Sequence, residues 1–239
     1  MSENVIIEQS AMDAILKQLE VHAKKVSKHN KWTDQHLDEY LLKYRSTLAM
    51  FYYSGLRCSE VIGDIGPKWK VLSNNGRILS RNLQLSKEWW KLPESDGIWV
   101  WKSRPSAKGI LKEDLEIKQG TLYIYSKPLK GGLRESPIEI STALPYVDYI
   151  IQARNLTDAG DRVFRLRRSA LWQTLRKLVG YGSHRFRKSR VNWFASQPDV
   201  NLKDMLQWFG WRRSATADFY IVKAKSATDM KNILNRVVL

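Results

Sequence analysis

The sequence predicts an α+β fold, mainly α-helical with a small antiparallel β-sheet. Three observations carry this. Stretches before residue 55 and after residue 145 repeat apolar residues at helical spacing. Two short runs near 122–140 flank a linker rich in Gly and Lys and read as a hairpin. Finally, 43% of the 239 residues are hydrophobic, enough for a real core, yet no apolar run approaches the ~20 residues that a bilayer span needs.

Taken in order, residues 5–28 read as a first helix, with Ile6, Met12, Ile15, Leu16 and Leu19 apolar and three lysines at its end. Lys28-His29-Asn30-Lys31 reads as a short linker. Thr33 is an N-cap for a second helix whose Leu37, Tyr40, Leu41, Tyr44, Leu48, Phe51 and Tyr52 share a buried face, and Gly55 suits its end. Residues 64–113 form a long excursion, in which Asn74-Asn75-Gly76 marks a hairpin turn and Trp99 and Trp101 alternate as on a strand. Its five tryptophans lie among lysines, which fits either a contacting insertion or a small aromatic core. Leu122 to Tyr125 and Ser136 to Ile140 form the hairpin joined through 127–132. Helices follow from Pro145 to Arg154, from a Ser169 cap to Gly180, from a Ser183 cap through His184, and from Leu202 to Gly210. Ser214 caps a short helix bearing Tyr220, and an apolar face runs on from Met230 to Val238. The expected division is an N-terminal helix and linker at 1–30 and a main domain at 31–239 with an insertion at about 64–113.

Forty Lys and Arg against 24 Asp and Glu give a net charge of +16. Such an excess calls for a polyanion, and nucleic acid fits better than a membrane surface. Between Asp161 and Arg213 stand thirteen Lys or Arg and three Asp, a concentration that suits a phosphate backbone. The opening residues carry no export signal, the single Cys58 permits no internal disulfide, and the four histidines show no metal-ligand spacing. A cytoplasmic, nucleic-acid-associated protein without cofactor or metal is expected.

Within this frame five islands gather polar chemistry. They are Gly55-Leu56-Arg57-Cys58-Ser59-Glu60 beyond a buried helix, Lys127 after an apolar run, and His184-Arg185-Phe186-Arg187 at a helix start. Gly210-Trp211 and Tyr220 complete them. His184 and Arg187 share a helix face, in a first turn where free N–H groups favour a phosphate. A guanidinium clamps a phosphate bidentately, an indole N–H can only donate, and a phenol with an ordinary pKa of about 10 needs a positive field to attack at neutral pH.

In order and local spacing these islands resemble the tyrosine recombinase (phage integrase) family over roughly residues 31–239. The resemblance implies the catalytic fold of a DNA breaking-rejoining enzyme and a 3′-phosphotyrosyl intermediate. It makes Tyr220 the nucleophile, Arg57 and Arg187 the phosphate clamp, Lys127 the general acid with Lys130 as rival, and His184 a proton-transfer partner. Trp211 stands where the family more often has histidine, and Glu60 matches its orienting acid. Lys130, Arg134, Arg185, Lys188, Arg190, Arg212 and Arg213 are the expected DNA contacts. Double-stranded DNA is the implied partner, held by a homo-tetramer on two duplexes that assembles through the C-terminal helix or leaves that helix folded on its own core. The family's separate N-terminal clamp domain has no counterpart in the single helix of 1–30, so the chain reads as a minimal recombinase, one that borrows a partner, or a piece of a longer one. Two other readings use the same residues: a type IB topoisomerase-like relaxase, and a catalytically idle DNA-binding protein.

Overall fold

A computed structural model describes the backbone of residues 6–63, 68–72, 78–83, 99–103, 108–126 and 133–211, with side chains for 6–63, 108–126 and 133–211. Seven α-helices, a 3-10 turn at Lys112–Asp114 and two three-stranded antiparallel sheets lie within those residues.

Helix α1 (Gln9–Asn30) begins four residues later than the sequence predicts and absorbs most of the expected linker, ending at Lys31 in the left-handed region. It packs on α2 (Asp34–Ser54), whose Thr33 Oγ1 accepts from the backbone N–H of His36. One core then runs from Met12, Leu19 and Leu48 through Phe51 to Leu122, Ile150, Phe164 and Phe186. The expected stop at Gly55 holds for two reasons. Its φ is +61°, and a Cβ there would lie 3.0 Å from both the Arg190 Cβ and the Phe209 Cε1. That close approach lets three helices meet at the α2 terminus.

Directly after it comes α3 (Cys58–Ile62), a single turn that no periodicity announces. Strands β1 (Lys68–Leu72), β2 (Ile78–Leu83) and β3 (Trp99–Ser103) make the first sheet in the order β2-β1-β3. β1 and β2 pair antiparallel, while the expected turn at Asn74-Asn75-Gly76 and the tryptophan side chains of this stretch lie outside the described residues.

The second sheet holds β4 (Leu115–Lys118), β5 (Thr121–Ser126) and β6 (Arg134–Glu139) in sequence order. β4 was not expected. It turns into β5 through Gln119 and Gly120, both at positive φ (47° and 73°), the geometry of a two-residue hairpin turn. Helix α4 (Val147–Asn155) follows, with Pro145 in the preceding turn. Helix α5 (Arg168–Val179) starts from Arg167, so Ser169 lies inside its first turn and is not its cap. Helix α6 (His184–Ser196) does have Ser183 at its cap position, but with helical torsions (φ −56°, ψ −24°) and no side-chain cap. Helix α7 (Leu202–Phe209) is capped by Asn201, which accepts from the Asp204 N–H, and ends at left-handed Gly210. Tyr220 and the C-terminal apolar face lie outside the described residues.

Candidate functional site

The carbonyl end of α2 organises the site. Helix C-termini leave unpaired carbonyls and carry a partial negative charge. Here Arg187 Nη1 donates to Gly55 O at 2.7 Å, Trp208 Nε1 donates to Ser54 O at 3.3 Å, and Arg134 Nη2 donates to the same Ser54 carbonyl. Strand β6 and helices α6 and α7 are pinned to one point by these donors.

Glu60 is the anionic counterweight. Its side chain is 4% exposed. Oε2 accepts from the Arg57 backbone N–H at 2.7 Å and Oε1 from Arg57 Nη1 at 2.8 Å. Oε2 also lies 3.9 Å from Arg187 Nη1. The one-turn helix α3 therefore presents Arg57 as its extended N-cap and folds Glu60 back beneath it. Arg57 keeps 46% of its side chain open to solvent while Arg187 keeps 3%. One guanidinium is thus fixed at the bottom of the site and another stands at its mouth.

His184 lies in the same field. Burial first, then the charges of Lys188, Arg187 and Arg57, lower its pKa below the ordinary 6.5, so the imidazole is neutral at pH 7 and free to accept a proton. Its own residue surface remains exposed. Trp211 stacks on Phe209 with ring centroids 4.9 Å apart and planes 25° apart, and the Arg187 guanidinium lies 5.8 Å from the Trp211 ring centre. The structure therefore brings Arg57, Glu60, His184, Arg187 and Trp211 to one place from three separate stretches. Lys127, Lys130, Arg212, Arg213 and Tyr220 lie outside the described residues.

Of the expected DNA contacts, Lys188 is exposed and Arg185 half-buried on the outer side of α6. Arg134 is a correction. It is 1% exposed, with its guanidinium 5.6 Å from the Phe209 ring centre and its Nε and Nη1 without a hydrogen-bond partner. Burial and the neighbouring Arg187 push it down to about 9, against the 12.5 usual for arginine. The reason is strand parity: β6 alternates buried and exposed, and Arg134, Ser136 and Ile138 face inward together. Arg190 is part-buried. Its guanidinium lies over the Trp193 ring at 4.2 Å and the Phe194 ring at 5.1 Å, so an aromatic stack occupies it. It shares a helix face with buried Phe186 and Arg187, one turn further on, and that spacing is the signal that places it inward.

The excess of charge is the site's chemical signature. Arg57, Arg134 and Arg187 surround a single buried carboxylate, Glu60, and Arg57 and Arg187 interact electrostatically with His184. Such a cluster favours an anion with several oxygens, because guanidinium N–H groups donate best to charged oxygen acceptors. Among the described residues no group of three His, Cys, Asp or Glu could hold a metal ion. No helix there is long and apolar enough to cross a membrane.

The architecture recurs in solved structures. The chain is similar to XerH site-specific recombinase bound to difH substrate in a pre-cleavage complex, with TM-score 0.51 and 11% identity over 90% of this chain and 49% of that one. It is also similar to XerH bound to palindromic difH substrate in a post-cleavage complex, with TM-score 0.53 and 12% identity over 97% of this chain and 53% of that one. The likeness shows the fold: mainly helical with a small antiparallel sheet, as in a tyrosine recombinase catalytic domain. The chain spans about half the length of those proteins. No protein-family model and no curated sequence matches it.

Proposed function

We propose that the chain is a site-specific DNA recombinase that cuts and rejoins duplex DNA through a 3′-phosphotyrosyl link. One observation carries this reading: Arg57 and Arg187, 130 residues apart in sequence, converge on the buried carboxylate of Glu60 with a neutral His184 alongside. In the proposed step the Tyr220 oxygen attacks the scissile phosphorus and the bond from phosphorus to the 5′-oxygen breaks. The phenol proton passes to His184, and Lys127, or Lys130 in its place, protonates the departing 5′-oxygen. Arg57 and Arg187 hold the non-bridging oxygens, whose charge grows in the transition state, and Trp211 donates its N–H to one of them. Glu60 keeps both guanidiniums in place.

Phosphoryl transfer asks a protein mainly for positioning and charge neutralisation. Arginine serves this better than lysine because its planar fork matches two phosphate oxygens at once. The covalent link conserves the phosphodiester's energy, so rejoining requires no nucleotide cofactor. Two duplexes held by a tetramer of the chain complete the proposed reaction.

Nicked suicide duplexes test the reading. Wild-type protein should form a denaturant-resistant DNA adduct, Tyr220→Phe should form none, and Arg187→Lys should slow it by about 10²–10³-fold, the usual loss for one transition-state donor. Adduct retained by Tyr220→Phe would remove the tyrosine from the mechanism. Relaxation of supercoiled plasmid without site preference would reassign the chain to topoisomerase chemistry.

A further inference from the structure

Beside the arginine cluster lies a half-open cavity of about 400 Å³, lined by Arg168, Trp172, Tyr181, His184, Arg185 and Lys188 among others. Cys58 also lines it, so the cavity begins where Arg57 ends and shares His184 with the cluster. Arg185 and Lys188 bring positive charge to its wall. Its aromatic wall is equally distinctive. Trp172 leaves 55% of its surface open, which is unusual for the largest side chain on an amphipathic helix whose Leu171 and Leu175 are buried. Gly182 lies against the indole, where a Cβ would meet the Trp172 Cδ1 at 3.4 Å, an ordinary contact. The Arg176 guanidinium lies 5.5 Å from the ring centre, so the ring already serves as a stacking surface for a planar cation.

We propose that this cavity takes one unpaired nucleotide of a DNA strand, its base stacked on Trp172 and its phosphate held by Arg185 and Lys188. The inference rests on the strand-cleaving reading of the adjoining cluster and adds to it where the neighbouring nucleotide goes. A phosphate alone would need the cations but not the indole. A duplex, whose major groove alone is about 12 Å wide, cannot enter a cavity of this size, whereas a splayed nucleotide can. Base–aromatic stacking beside basic side chains is how proteins hold single strands without reading their sequence.

Fluorescence anisotropy with a labelled 12-nucleotide thymidine strand, a labelled duplex of equal length and free thymidine monophosphate as competitor tests this on the full chain. Trp172→Ala is expected to weaken single-strand binding between about 5-fold and about 150-fold, the range to which ~1–3 kcal/mol per stacked base converts. Trp172→Phe should keep most of the affinity, and duplex binding should be unchanged by either variant. Unchanged single-strand binding by Trp172→Ala overturns the proposal. So does Trp172-dependent binding of the free mononucleotide with none of the strand, which would make the cavity a small-molecule site. The suicide-duplex adduct, measured on the same preparations, separates the two readings. Adduct without the single-strand effect sinks the cavity proposal alone; the single-strand effect without adduct sinks the strand-cleaving reading and the part of the proposal that rests on it.

Discussion

Replacing Glu60 by Gln changes one charge and almost no volume, so its cost measures how far the arginine cluster depends on that carboxylate. In the folded chain the carboxylate takes two Arg57 donors at 2.7 and 2.8 Å and stands 3.9 Å from Arg187 Nη1. A glutamine oxygen can keep one of those bonds as a neutral one, worth about 1 kcal/mol where the charged version is worth about 1.5–3. Its amide NH₂ must then point at a donor. Breaking a buried pair outright costs about 3–5 kcal/mol, but Arg57 is nearly half exposed, which screens its share. Together these give a loss of about 2–3 kcal/mol, or roughly 4–12 °C in Tm for a chain of this length. Scanning calorimetry at low salt reads it directly, with Glu39→Gln, an exposed carboxylate on α2, as the control. Added sulfate should recover more stability in Glu60→Gln than in wild type, because the anion then supplies the negative charge that Glu60 gave Arg57 and Arg187. A fall in Tm below about 1 °C, or an equal fall in the control, would refute the claim that Glu60 holds the cluster together.

Further outcomes follow from the same geometry. Gly55→Ala must hold a Cβ at φ +61° and push it to 3.0 Å from Phe209 and Arg190; a loss of about 2–4 kcal/mol in denaturant unfolding is expected. Arg134→Met exchanges a buried cation with two unsatisfied donors for a flexible apolar chain. Stability by urea titration should be unchanged or higher. For His184 the folded pKa lies below the unfolded 6.5, so between those two values the unfolded chain holds the extra proton. Its contribution therefore improves as pH rises through that window and worsens as pH falls; His184→Gln should flatten this part of the stability profile. Phosphate placed among Arg57, Arg187 and His184 should raise that pKa, so binding near pH 6 takes up a proton, seen as a buffer-dependent heat in titration calorimetry.

How much of this was legible beforehand differs by element, for physical reasons. Helix α2 was readable at both ends because Thr33 and Gly55 each do a job that few residues can do: one accepts a cap bond, the other accepts positive φ without a clash. The hairpin of β5 and β6 was readable from its alternation. Helix α3 was not, since five residues are too few for a period and its stability comes from Glu60 folding back on Arg57. β4 hid behind a Gln-Gly turn in place of the usual Asn-Gly. Within the site, local chemistry indicated Arg57, Glu60, His184, Arg187 and Trp211, and the structure gathers them. Where the arginines point was harder. Arg134 reads as one more surface cation beside a lysine-rich loop until β6 is extended back from Ile138, after which parity turns it inward. Its role as a donor to Ser54 O is a long-range fact with no local signature.

The most direct test is the identity of the atom that joins protein to DNA. Adduct trapped on a nicked duplex, digested with nuclease and then trypsin, should leave a nucleotide on the peptide 214–223, attached to Tyr220 through a 3′-phosphate. The same mass on a serine, on another tyrosine or through a 5′-phosphate, or no adduct at all from protein whose cluster is intact, would contradict the account.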